Sequence, residues 1–218
     1  MQPDFWHARW RSGQIAFHQP AVDRHLREHW PQLDLASASR VFVPLCGKSL
    51  DLLWLLERGH GVTGVELSAV ALESFCMEQG IPARRRALGV FELYEAANLE
   101  LYCGDFFALT PELIGACAAV YDRAALIAWA PEQRGAYVEH MTALTSPGTQ
   151  TLLITLEYAQ AQMSGPPFSV GADEVERWYA RHHSIQRLSR QDVLANEPRF
   201  RSRGVTALHE VCYRLTRL

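Results

Sequence analysis

Three short stretches of this chain carry side chains suited to chemistry. In "VFVPLCGKSLDLLWL" (41–55) an apolar run enters Gly47-Lys48-Ser49 and then turns helical. Gly-Lys-Ser ends the loop that wraps nucleotide phosphates, where free backbone N–H groups line the cradle. Such a loop needs glycine at the position of Phe42, and Pro44 removes a donor from it. The G-x-G-x-x-G dinucleotide turn is missing too, because Gly47 stands alone. Nineteen residues after Gly47, in "GVTGVE" (61–66), stands Glu66. A carboxylate ending a second strand can accept from both hydroxyls of a ribose. One close-approach glycine and one such carboxylate suit a nucleoside ligand without pyrophosphate, and S-adenosylmethionine is one. The plainer alternative is a solvated Glu66 and an ordinary turn. The third stretch, "YCGDFF" (102–107), offers Asp105 as acceptor for a base edge and Phe106 as a flat apolar face. Its alternative is a helix cap followed by a core phenylalanine.

These groups need a scaffold that brings strand ends together. Residues 41–45 read as a buried strand, and residues 50–58 as a helix whose inward face is Leu50, Leu53, Trp54 and Leu56. A second strand (61–66) and a second helix from Ser68, with Ala71, Leu72, Phe75 and Cys76 inward, complete a βαβα unit. That unit implies a parallel sheet with right-handed crossovers. Residues 90–107 alternate about Ala97-Asn98 as a hairpin. Strands follow at 119–122, 149–158 and 205–218, helices at 131–146 and 173–182, and a rigid loop at "SGPPFS" (164–169).

Bulk properties narrow the function classes. The chain has 218 residues, 48% hydrophobic and 21% charged, which suits one globular α/β domain. A net charge of −3 with no Lys/Arg block argues against nucleic acid and anionic membranes as partners. Five cysteines without a C-x-x-C pair fit reduced thiols in the cytoplasm. The first residues carry charges where a signal peptide has its apolar core, and no window reaches the roughly 18 apolar residues of a membrane span. His182 and His183 are adjacent and diverge on a helix, so no metal site is expected. With no heptad pattern, a monomer is expected.

Four motifs carry a resemblance. "FWHARWRSGQIAFH" (5–18), "PLCGKSLD" (44–51) followed by "GVE" (64–66), "DRAAL" (122–126) and "GPPF" (165–168) stand in the order and spacing of the thiopurine S-methyltransferase family, in its bacterial branch. The resemblance implies a class I S-adenosylmethionine-dependent methyltransferase fold. That fold is Rossmann-like, with a mostly parallel seven-stranded sheet and an N-terminal helical lid. One domain over 1–218 is expected, with 1–39 as lid and 40–218 as α/β core. The implied activity is methyl transfer to a small aromatic or heterocyclic thiol such as 6-mercaptopurine.

Carried over, the cofactor contacts are Trp10, Leu45, Gly47, Glu66, Phe106 and Arg123, with Trp6 and Phe17 closing over them. Arg123 and Arg199 are expected to face the acceptor, with Arg203 as competitor for the second place. Asp122 is a candidate for taking a proton through water. Ala124 stands where the family often has glycine, and Trp129 where a smaller residue is common. Three alternatives stay open: a selenium or tellurium acceptor, a nicotinamide-dependent oxidoreductase with a degenerate turn, and a non-catalytic nucleoside sensor.

Overall fold

The computed structural model describes residues 3–218, so residues 1 and 2 of the expected lid lie outside the described residues. The chain divides into two compact units, residues 3–121 and 122–218.

The first unit begins with two helices, α1 (Pro3–Arg11) and α2 (Arg24–His29). Then come β1 (Arg40–Val43), α3 (Asp51–Glu57), β2 (Gly61–Glu66) and α4 (Ala69–Glu78), the βαβα unit read from the sequence. After them run β3 (Arg84–Leu88), β4 (Phe91–Ala96), β5 (Leu99–Cys103), α5 (Pro111–Ile114) and β6 (Ala119–Arg123), whose last two residues begin the second unit. The strand order is β3-β4-β5-β2-β1-β6. β1 pairs in parallel with β2 and β6, and β2 in parallel with β5. Val41, Phe42 and Val43 are all buried, as expected for a parallel strand covered on both faces. The β4–β5 hairpin is antiparallel and turns at Asn98, whose φ of 56° is one that asparagine tolerates.

The second unit contains α6 (Pro131–Leu144), β7 (Gln150–Glu157), α7 (Ala172–Tyr179), β8 (His183–Asp192), α8 (Pro198–Arg201) and β9 (His209–Arg217). Its strands run β7-β9-β8, antiparallel throughout. The fold class is thus α/β with a mixed sheet, parallel at its core.

Three features depart from the sequence reading. Nine strands form among the described residues where seven were expected; the additions are β3 and β8. Both are charged edge strands. The arginines of β3 pair with β4 carboxylates, Arg85 with Glu92 and Arg86 with Glu95. Second, α3 buries Asp51, Leu52, Trp54 and Leu55, so Leu50, Leu53 and Leu56 are not its core face. Third, β9 starts at His209, and α7 ends at Tyr179. No helix among the described residues is long and apolar enough to cross a membrane.

Candidate functional site

The site in the first unit is built where β1 and β2 end. After Val43 the chain turns sharply: Leu45 has φ 48° and Gly47 φ 55°. The Cys46 N–H bonds back to the Val65 carbonyl at 2.9 Å, which presses the turn against β2. Gly47 is required twice. Its φ is costly for any side chain, and a Cβ there would stand 3.1 Å from the Trp10 ring. Lys48 meets no phosphate cradle. Its ammonium makes two bonds to the Glu78 carboxylate, at 2.7 and 3.0 Å, and so braces the turn to the end of α4.

Glu66 closes β2 and is buried at 6% exposure. The Gly47 N–H donates to its Oε2 at 3.0 Å and the Ser68 N–H to its Oε1 at 2.9 Å. The Leu67 N–H and the Trp10 side chain also bond to it. Burial nonetheless dominates and raises the Glu66 pKa to about 7, against the pull of these donors. Trp10 is the fully buried side chain of α1. Its ring packs edge-on to Phe17 at 5.4 Å, and Phe17 packs on Trp6 at 5.5 Å. The structure therefore gathers Trp6, Trp10, Phe17, Gly47 and Glu66 in one place. The bond from Trp10 to Glu66 was not foreseen, since the motif spacing places the indole near the turn without naming its partner.

The register pairs Glu66 with Cys103, so Asp105 and Phe106 follow the strand end beside Glu66. Phe106 is buried. Asp105 is exposed, and its Oδ1 accepts from the Phe107 N–H at 3.0 Å, capping a short helical turn. Asp51 stands in the first turn of α3. It is a buried brace whose two oxygens accept from the Asp23 N–H at 2.8 Å and the Tyr121 hydroxyl at 3.0 Å.

In the second unit, Asp122 and Arg123 end β6. Asp122 is buried at 1% exposure; its Oδ2 accepts from the Tyr137 hydroxyl at 2.7 Å and its Oδ1 from the Leu126 N–H at 3.1 Å. Burial raises its pKa to about 6. Ala124 has φ 62°, which accounts for a preference for glycine there. Trp129 is buried and tilted against Tyr137, with ring centres 5.7 Å apart. Arg123 is half-buried and Arg199 exposed, and both act on the charge of Glu197. Burial and Glu210 raise the Glu197 pKa, while Arg199 and Arg123 pull it down. Arg203 places Nη1 3.4 Å from the Met163 sulfur.

Known proteins share this architecture. The chain is similar to the crystal structure of Burkholderia thailandensis 1,6-didemethyltoxoflavin-N1-methyltransferase with bound 1,6-didemethyltoxoflavin and S-adenosylhomocysteine. The TM-score is 0.62 at 16% identity, over 98% of this chain and 87% of that one. The fold is that of the class I S-adenosylmethionine-dependent methyltransferases. In sequence, the chain is 49% identical over 215 residues to a thiopurine S-methyltransferase of Pseudomonas fluorescens strain Pf0-1, covering 99% of each. It is 46% identical to one of Bordetella petrii, covering 100% of this chain and 99% of that one. The sequence model of the family described as thiopurine S-methyltransferase matches residues 1–218, and the chain belongs to that family. It is a methyltransferase, with S-adenosylmethionine as its methyl donor.

The residues present fit that donor. Three backbone N–H groups hold the Glu66 carboxylate in place. The fourth bond comes from a side chain, Trp10, and a ligand hydroxyl can replace it. Gly47, without a Cβ, lets the Trp10 ring lie close against the turn beside Glu66.

Proposed function

We propose that this enzyme methylates the sulfur of small aromatic or heterocyclic thiols, thiopurines such as 6-mercaptopurine among them. Trp10, Leu45, Gly47, Glu66, Asp105 and Phe106 hold the donor, with Trp6 and Phe17 closing over it. Glu66 takes the ribose diol. The donor supplies a methyl group on a sulfonium, which an acceptor sulfur receives in one displacement.

One observation carries the acceptor reading: Arg123 and Arg199 share the neighbourhood of one carboxyl, Glu197. Two guanidiniums there favour an ionised thiol and hold it in register. The same grouping prefers Arg199 to Arg203, which sits on Met163. A thiolate needs no covalent catalyst; alignment of the reacting atoms supplies up to about 7–11 kcal/mol in ideal cases. Excluding water helps further, because opposite charges cancel as the methyl group moves. Asp122 serves this step as a positioning residue. Its oxygens are engaged by Tyr137 and Leu126, which fixes the turn behind Arg123. The protein works as a cytoplasmic monomer, and its five free cysteines agree with a reducing compartment.

The test is transfer of labelled methyl to 6-mercaptopurine and, in parallel, to selenite. Turnover on the thiopurine that Arg123→Ala and Arg199→Ala both depress supports the proposal. Turnover on selenite alone would move the acceptor class to selenium. Donor binding without transfer to either would leave a sensor.

A further inference from the structure

Arg134 heads the largest fully buried side chains, with no exposed surface at all. It lies in the first turns of α6, where the helix dipole disfavours a cation. Burying a guanidinium is also costly, and an apolar residue of like volume often packs as well or better. A charge kept at such a place calls for a geometric reason, and its contacts supply one. Nε donates to the Trp129 carbonyl at 3.0 Å, at the end of the turn that follows Arg123. Nη1 pairs with Glu174 in the first turn of α7, and the Trp178 indole N–H donates to the same Glu174 oxygen at 3.4 Å. The guanidinium also lies over the Phe168 ring, 5.9 Å from its centre. Phe168 ends the Gly-Pro-Pro-Phe loop, and its N–H donates to the Ile127 carbonyl at 2.8 Å. Nη2 has no partner among the described residues, so the fork is placed for these contacts rather than for full satisfaction.

We propose that Arg134 is a positioning residue for the methyl acceptor. Its planar fork fixes the turn carrying Arg123 and the Gly-Pro-Pro-Phe loop onto each other, with Glu174 holding the fork in orientation. The proposal rests on the acceptor reading of Arg123 above. Lysine cannot reproduce it, because an ammonium is a point charge without a stacking face. Methionine keeps the packing and removes the charge.

The experiment measures acceptor KM with 6-mercaptopurine, donor Kd by calorimetry and the urea midpoint for Arg134→Lys, Arg134→Met and Glu174→Gln. The expected result is an acceptor KM raised tenfold or more in Arg134→Lys and Arg134→Met, and severalfold in Glu174→Gln. Donor Kd should stay within twofold, since Glu66 and Gly47 belong to the other unit. A methionine variant as stable as the wild type with a raised acceptor KM supports positioning directly; if it does not fold, the lysine and Glu174→Gln variants decide. Unchanged acceptor KM in the folded variants overturns the proposal. So does a donor Kd that weakens in step with acceptor KM, which marks a role in the fold alone. Arg123→Ala separates the two claims. If it keeps wild-type turnover and KM, the acceptor reading itself fails. If it loses turnover while the other variants keep their KM, only the role of Arg134 falls.

Discussion

The ribose grip proposed for Glu66 predicts donor binding that depends on pH near neutrality. The carboxyl must be ionised to accept from two hydroxyls, yet burial raises its pKa to about 7. Apparent Kd then scales as 1 + 10^(7 − pH), so affinity should fall about tenfold from pH 8 to pH 6, or about 1.4 kcal/mol. Binding at pH 7 should release about half a proton, read as a difference in calorimetric heat between two buffers of unlike ionisation enthalpy. The donor's own amino group titrates nearby, but it does so equally in Glu66→Gln, so the wild type minus the variant isolates Glu66. The free enzyme carries the opposite sign. A carboxyl with a raised folded pKa leaves stability whole below its unfolded value of about 4.5. That stability is lost as pH climbs through 7, by about 3 kcal/mol in the limit of complete burial. Glu66→Gln should therefore bind the donor poorly yet melt higher than wild type at pH 8. Equal pH dependence of donor affinity in wild type and Glu66→Gln would refute the reasoning.

Other perturbations follow from the same geometry. Gly47→Ala combines a left-handed φ with a methyl group 3.1 Å from Trp10. It should cost about 1–2 kcal/mol in urea unfolding and weaken donor binding, and a variant with wild-type values in both would contradict the close approach. Ala124→Gly relieves φ 62° and should leave the melting temperature level or raised, unlike the usual loss for this exchange. A drop of several degrees would count against the strain. Tyr137→Phe takes a donor from buried Asp122 and should cost about 1–3 kcal/mol. Because Asp122 titrates near pH 6 and the hydroxyl favours its ionised form, the loss should be larger at pH 8 than at pH 5. Equal losses at both pH values would show the carboxyl neutral throughout.

What the sequence disclosed was set by local order. The β1-turn-β2 segment was legible because β1 is a short apolar run that leads into the Gly47 turn and β2 one that ends on Glu66. The face of α3 was misread because Leu52 to Leu56 is apolar on every side, so periodicity has no polar face to set its phase. β3 and β8 escaped notice because sequences such as "RRRAL" and "HSIQRLSRQD" hold their place by backbone pairing and cross-strand charges at an edge. Nothing local in the sequence marks Arg134 and Asp51 as buried, since the groups that satisfy them, Glu174 and Tyr121, lie far along the chain.

Three buried carboxylates show why burial alone does not mark a binding site. Asp51 accepts from Asp23 and Tyr121, and Asp122 from Leu126 and Tyr137. Each of these partners is itself part of a packed element, and replacing it would leave a hole or an orphaned donor. Glu66 differs in one bond. Gly47, Leu67 and Ser68 hold it with backbone N–H groups that cannot move without unmaking the turn. The remaining donor, Trp10, belongs to a nine-residue helix that buries no other side chain fully. A hydroxyl that takes the place of this indole N–H keeps the carboxylate satisfied, so the exchange costs little. A carboxylate held by rigid donors on three sides and a replaceable one on the fourth is oriented for a ligand before it arrives.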